Sequence, residues 1–335
     1  MVNRDRARGA FVGLAIGDAM GAPTEGMTIE AIRQTFGRVT ALAPDAAGTD
    51  DTEYAVLCAR GILEHGSALT AADVAATWMS AVSRQQGGFY GAGFSEMVAI
   101  ANLGAGLTPP TSGLLSYERW SDGAAMRVTP IGIFAAGSAD EACRLAAIDA
   151  SVSHSADGVY CAQAIAAGVS TALVSDDHRA VIDAAVAALP ADSWSRRLVD
   201  RALDIAACSA SADEASDELY REISLFHYPW ADAAPEATAL ALGLFSAARG
   251  DFRDALLASV NIGRDSDTIA AMTGALAGAL IGYDALPREW SEPVLTVHGR
   301  CIVDTAGTDL LDIADRLVDR SARERDTTQE GAYRA

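Results

Sequence analysis

Lysine is missing altogether: all 25 basic residues of this 335-residue chain are Arg. A Schiff-base lysine and a lysine-dependent phosphate loop are thereby excluded. Cations are also scarce against 45 carboxylates, and a net charge of −20 argues against nucleic acid as a partner, because phosphate binding rests on clustered positive charge. It disfavours an anionic membrane surface as well. No apolar run spans a bilayer comfortably, the longest being Ile269 to Gly282. Arg4, Arg6 and Arg8 precede the apolar stretch Ala10 to Ile16, but Asp18 interrupts it and no small-residue cleavage site follows, so it does not read as a secretion signal. The five cysteines (Cys58, Cys143, Cys161, Cys208, Cys301) form no CxxC pair and read as free thiols of a reducing compartment. The expected location is the cytoplasm. There is no GxSxG elbow and no recognisable cysteine nucleophile, and His65, His178, His227 and His298 fall at no metal-ligand spacing.

What the chain does have is helical periodicity. Half of it is apolar and only 6% aromatic, with Ala and Gly plentiful. Hydrophobic residues recur at three and four near 5–21, 50–65, 70–84, 139–151, 158–173, 178–189, 195–208, 213–225, 234–248, 252–260, 268–282 and 292–320. Thr70, Ser138, Ser193 and Ser211 stand where helix caps belong, most of them before an acidic first turn. No alternating β-branched run signals a sheet. The pattern predicts one all-α domain over 1–325, a compact multi-helix bundle, followed by a polar tail at 326–335 that is expected to fray. The longest irregular stretch, 104–129, is too long for a plain connection and reads as functional.

Glycine is spaced with regularity. Gly13, Gly17 and Gly21 fall four apart, and so do Gly274, Gly278 and Gly282. Each Gly inside a helix costs about 1 kcal/mol relative to Ala, so a stripe of three calls for compensation. Residues four apart line one face, and a bare face lets another helix backbone come close. Two readings follow: ordinary tight packing, or two helices pressed together to bring their ends to one place.

Acidic residues cluster at two helix starts. Thr49-Asp50-Asp51-Thr52 opens one, and Arg264-Asp265-Ser266-Asp267-Thr268 opens the glycine-striped one. Each alone is explained by capping and by the helix dipole. Brought together, four carboxylates and two hydroxyls would repel one another unless cations neutralised them, and oxygen-only ligands select Mg²⁺ or Mn²⁺. Two such ions would share a bridging carboxylate. Glu25 follows the helix stop at Pro23 and is free to point into such a site. His154 lies between two helical patterns, where it would cap a helix or touch a substrate.

Taken together, these segments resemble the ADP-ribosylglycohydrolase family. The resemblance rests on Gly17-Asp18-Ala19-Met20-Gly21-Ala22-Pro23-Thr24-Glu25, Thr49-Asp50-Asp51-Thr52, Met126-Arg127-Val128-Thr129-Pro130, His154, and Asp265-Ser266-Asp267-Thr268 with its small-residue helix. In order, they span roughly residues 8 to 284. The resemblance implies an all-α orthogonal bundle with a binuclear Mg²⁺ (sometimes Mn²⁺) centre. Thr49, Asp50 and Asp51 would hold metal from one side, and Asp265, Asp267 and Thr268 from the other. Glu25 would act as acid or base beside Asp267. Gly88 and Tyr90, with Met126, Arg127 and His154, would line an ADP-ribose cleft. Two departures stand out. Arg264 replaces the second Gly of a Gly-Gly pair, where it would bind a substrate phosphate or a metal carboxylate. Asp122-Gly123-Ala124 replaces Asn-Gly-Ser.

The function implied is metal-dependent hydrolysis of the glycosidic bond of an ADP-ribosyl group, on a protein side chain or a free compound. Two alternatives remain: an N-glycosidase of a smaller nucleoside-like ribosyl compound, and a non-catalytic binding or structural relative. The oligomeric state is not legible.

Overall fold

Eighteen α-helices and no strand carry the described part of the chain. The computed structural model describes residues 3–83, 85 and 93–334, the last eight by backbone alone. Gly88 and Tyr90 fall outside the described residues. In chain order the helices are α1 (Arg4–Gly21), α2 (Ile29–Phe36), α3 (Asp50–His65), α4 (Ala71–Val82), α5 (Phe94–Gly104) and α6 (Thr111–Leu114). They continue with α7 (Gly123–Arg127), α8 (Thr129–Phe134), α9 (Ala139–Ala150), α10 (Asp157–Ala172), α11 (His178–Ala187) and α12 (Trp194–Cys208). The last six are α13 (Ala212–Ile223), α14 (Ala234–Ala247), α15 (Phe252–Asn261), α16 (Ser266–Ile281), α17 (Arg288–Ser291) and α18 (Leu310–Arg334). No described helix is long and apolar enough to cross a membrane.

Most predicted helices form where the periodicity put them. The cap signals work locally: Thr70 and Asp73 make a reciprocal capping box, and Ser193 and Ser211 each accept from the amide three residues on. Ser138 precedes α9 without making that bond. The span 292–320 differs from expectation, since α-helix begins only at Leu310. Pro293 sits in the opening of a short 3₁₀ turn, and Gly299 and Gly307 take positive φ, which ends helical continuation twice before α18. Six helices fall outside the predicted segments: α2, α5 and the short α6, α7, α8 and α17. The irregular stretch 104–129 holds the one-turn helix α6 and all of α7, and α8 starts at its last residue.

The centre of the molecule is the antiparallel pair α1 and α16. Both are apolar around their circumference: α1 is buried continuously from Gly9 to Gly21 and α16 from Ser266 to Ala279. A helix without a polar face must sit inside. The two backbones touch directly. A Cβ at Gly9 would fall on the Gly278 carbonyl, one at Gly13 on that of Gly274, and one at Gly17 on that of Ala270. The stripe therefore begins one turn earlier than its sequence signal, at Gly9. At its far end, Gly21 lies against the backbone of Ser266 and Asp267. The carboxyl end of α1 is thus locked to the amino end of α16. Helices α3, α8, α15 and α18 pack on α1, while α10, α14 and α15 pack on α16.

This contact predicts a strongly position-dependent glycine series. Gly13→Ala should lower unfolding stability by about 1–3 kcal/mol or more, because the added methyl meets rigid backbone. Gly104→Ala, at the open end of α5 where a Cβ meets nothing, should be neutral or gain up to about 1 kcal/mol. Urea unfolding of the two variants checks this, and equal effects would contradict the packing.

Candidate active site

Three chain segments meet where α1 hands over to α16. The first is the mouth of α3. Thr49 occupies the cap position but makes no capping bond of its own. The cap comes instead from Asp18 on α1, whose carboxylate accepts from the Thr49 amide at 2.8 Å, the Thr49 hydroxyl at 2.7 Å, the Thr52 amide at 3.0 Å and the Thr52 hydroxyl. The second is the mouth of α16, where Asp265 stands at the cap position, also without a side-chain cap bond. Neither acidic cluster is therefore consumed by capping, the simplest structural account of either. The third is the Glu25 loop. Gly26 donates to the Arg264 carbonyl at 2.7 Å and Arg264 to the Met27 carbonyl at 3.0 Å, which ties the loop to the chain entering α16.

The two mouths come together. Thr268 donates its hydroxyl to Asp51 Oδ1 at 3.0 Å and its amide to Asp267 Oδ1 at 3.0 Å. Carboxylate oxygens of Asp18, Asp51 and Asp267 lie within 4.8 Å of one another, as do those of Glu25, Asp265 and Asp267. Asp267 belongs to both groups. Asp50 faces the same space and accepts from the Gly93 amide at 3.2 Å. Burial, and then mutual repulsion, hold Asp50, Asp51, Asp265 and Asp267 well above the ordinary carboxylate range. Glu25 is raised by desolvation and by Asp18 and Asp232. Among the described residues no Arg or His pairs with the four aspartates. Hard oxygen donors that converge with no counter-ion suit a divalent cation such as Mg²⁺ or Mn²⁺.

The acids open into a cleft of about 450 Å³. Glu25, Thr49, Asp50, Met126, Asp265, Asp267 and Thr268 line it, as the sequence suggested. Asp122 and Gly123, from the loop that departs from the family pattern, line it too, and further walls went unread: Gly93, Phe94, Glu96 and Met97 at the start of α5, then Glu118 and Ser121, then Trp230 and Asp232. Asp122 is buried with Oδ2 unpartnered, and its amide binds the Asp232 carbonyl at 3.0 Å, joining two loops distant in sequence. The one signal available for Trp230 and Asp232 was a run of aromatic residues in a polar turn, which has many causes.

Three predicted substrate contacts lie behind the walls. Arg127 is fully buried, bound to Asp149 at 2.7 Å and Glu96 at 3.0 Å, with its guanidinium 4.8 Å from the Trp78 ring centre. His154 is buried between the Ser121 hydroxyl at 2.9 Å and the Ser153 hydroxyl at 2.7 Å. Burial and Arg127 hold its pKa well below normal, so the ring is neutral. It caps no helix. Arg264 turns away from the aspartates to pair with buried Glu236 and with the carbonyls of Leu225 and Tyr228. Its φ of 60° is a left-handed conformation that suits glycine, and the ion pair with Glu236 offsets that strain.

A family model described as ADP-ribosylglycohydrolase matches residues 1–327. The ADP-ribosylarginine hydrolase Tri1 of Pseudomonas putida is 29% identical over 87% of this chain and 74% of its own length. The ADP-ribosyl-[dinitrogen reductase] glycohydrolase of Rhodospirillum rubrum is 27% identical over 85% of this chain and 89% of its own. A solved structure titled ADP-ribosylglycohydrolase-related protein complex superposes with a TM-score of 0.67 at 25% identity, covering 95% of this chain and 98% of that one.

The raised carboxylates carry a sign for stability. Their ionisation opposes folding, so in EDTA the protein should lose stability as pH rises from the ordinary aspartate value through the raised ones. Thermal melts in EDTA should fall between pH 5 and pH 8. Mg²⁺ at a hundredfold excess over Kd should restore about 2.7 kcal/mol at the upper end and little at the lower. Melts that rise with pH in EDTA, or an equal Mg²⁺ effect at both ends, would contradict the arrangement.

Proposed function

We propose, from the premise that this chain belongs to the ADP-ribosylglycohydrolase family, that it is a divalent-metal-dependent hydrolase cleaving the glycosidic bond of an ADP-ribosyl group. The observation that carries the reading is the pair of carboxylate groups that share Asp267, a residue lining the cleft. Thr49, Asp50, Asp51, Asp265, Asp267 and Thr268 would hold two Mg²⁺ or Mn²⁺ ions. When bound there, the ions supply charge neutralisation and polarise oxygen atoms at the ribose.

The rest of the chemistry belongs to the chain. Carboxylates packed around the anomeric centre favour an oxocarbenium-like transition state. Glu25 stands at the mouth, where desolvation and then the nearby Asp18 and Asp232 raise its pKa and so favour its protonated form. In that form its carboxyl donates the proton to the departing atom; ionised, it takes one from the attacking water. Thr268 gives its hydroxyl proton to Asp51 and leaves its lone pairs for the site. Met126, Phe94 and Trp230 offer apolar wall to the substrate. Gly88 and Tyr90 keep their place as proposed substrate contacts on the strength of sequence alone. Arg127 and His154 would shape the wall from behind, through Glu96 and Ser121. The location proposed remains the cytoplasm, in keeping with five free thiols.

One observation favours a second reading. Eight of the described residues lining the cleft are carboxylates, and none is Arg or His. A diphosphate would find no cation there from the described chain, which suits a smaller ribosyl N-glycoside.

Release of ADP-ribose from ADP-ribosyl-arginine and ADP-ribosyl-serine peptides, with Mg²⁺ and with EDTA, tests the first reading, and ribose release from nucleosides the second. Asp267→Ala should abolish both turnover and Mg²⁺ binding with helicity kept. Glu25→Ala should spare Mg²⁺ binding and lower kcat by about 10²–10⁴-fold. Full turnover in either variant removes that residue from the mechanism.

A further inference from the structure

Asp18 is fully buried, and no active-site wall includes it. Its oxygens nevertheless lie within 4.8 Å of those of Asp51 and Asp267. A carboxylate has about four lone-pair positions. Four donors reach it, all from the first turn of α3: the amide and hydroxyl of Thr49, and the amide and hydroxyl of Thr52. The lone pairs are thus taken. Gly48 shows how tight this cap is, since a Cβ there would run into the Thr52 side chain, with Asp18 Oδ2 at 3.1 Å.

The consequence lies in the direction of one proton. A threonine hydroxyl has a single proton to donate and two lone pairs to offer. Because Thr49 gives its proton to Asp18 at 2.7 Å, its lone pairs are left for the cleft that Thr49 lines. The same four bonds fix the start of α3, and with it the backbone that carries Asp50 and Asp51. Asp18 sits beside Gly17 and one turn before Gly21, the residues that lock α1 to α16. One helix thereby sets both mouths, one by backbone contact and the other through this carboxylate.

We infer that Asp18 is a positioning residue: a cap lent by α1 to α3, which orients Thr49, Asp50 and Asp51 toward a bound cation without itself ligating it. The consequence for the cation rests on the metal-dependent reading above; the capping does not.

Two variants separate the roles. Asp18→Asn keeps one acceptor oxygen for four donors. Thr52→Val leaves every carboxylate in place but removes one of the donors. The measurements are amide hydrogen exchange at Thr49 and Thr52 and calorimetric Mg²⁺ affinity. Asp18→Asn should speed exchange at both amides about tenfold or more and weaken Mg²⁺ binding about 10–100-fold, as loss of a group that orients ligands does. Thr52→Val should act in the same direction by less, and the double variant should be no worse than Asp18→Asn alone.

Unchanged exchange and affinity in Asp18→Asn overturn the inference. So does lost affinity with unchanged exchange and an unaffected Thr52→Val, which makes Asp18 a ligand. Should Asp18→Asn not fold, Thr52→Val decides: wild-type exchange and wild-type affinity there overturn it. If the wild-type protein takes up neither Mg²⁺ nor Mn²⁺, the metal reading fails separately, and the exchange comparison still decides the role of Asp18.

Discussion

Direct contact between the backbones of α1 and α16 is the constraint on which everything else rests. Side chains ordinarily keep helix axes 8–10 Å apart. Here Gly9, Gly13 and Gly17 face Gly278, Gly274 and Ala270 with no room for a Cβ on the glycine side. The propensity lost at each glycine is recovered by close packing along two helices that are buried all round. Because the pair is antiparallel, closeness along its length becomes coincidence at its end. The Glu25 loop and the Asp265–Thr268 turn are neighbours for that reason, and backbone hydrogen bonds between Gly26, Met27 and Arg264 hold them so.

Buried acids in this protein are handled in two ways. Away from the helix mouths Glu96 and Asp149 share Arg127, Glu236 holds Arg264, and Glu53 accepts from the backbone amides of Arg300, Cys301 and Ile302. Removing one partner of such a buried set leaves an uncompensated charge, so these are rigid struts. At the two helix mouths, Asp50, Asp51, Asp265 and Asp267 converge with no arginine or histidine beside them among the described residues. An arrangement that is unfavourable in isolation and surrounded by well-paired alternatives is what a cation site demands. The absence of lysine sharpens the contrast, since every structural cation is an arginine whose fork can satisfy two acceptors at once.

Membership of the ADP-ribosylglycohydrolase family agrees with the helical architecture and with the order of the motifs. The cleft walls are where this chain has its own character. Arg264 takes a backbone conformation better suited to glycine and spends its side chain on Glu236, outside the cleft. Asp122 adds a buried carboxylate to the cleft that Asp265 also lines.

Local rules were enough for much of this. Periodicity fixed the helical class, cap residues marked several helix starts, and the two Asp-Asp-Thr mouths and Glu25 could be named from residue type and spacing. These are properties of a few consecutive residues. Local rules failed where the partner was distant. Thr49 looked like a cap, yet Asp18, thirty-one positions away, supplies the cap. Arg127, His154 and Arg264 looked like substrate contacts, yet each finds a buried partner from another helix or loop. Asp122 stood out only as a departure from the family pattern, and nothing in sequence joined it to Asp232, because the two meet only when two loops are bridged. The sequence by itself determined which chemistry the chain carries. Which oxygen each donor reaches was decided by the tertiary structure, since a hydrogen bond is made over about 3 Å of space and is indifferent to separation along the chain.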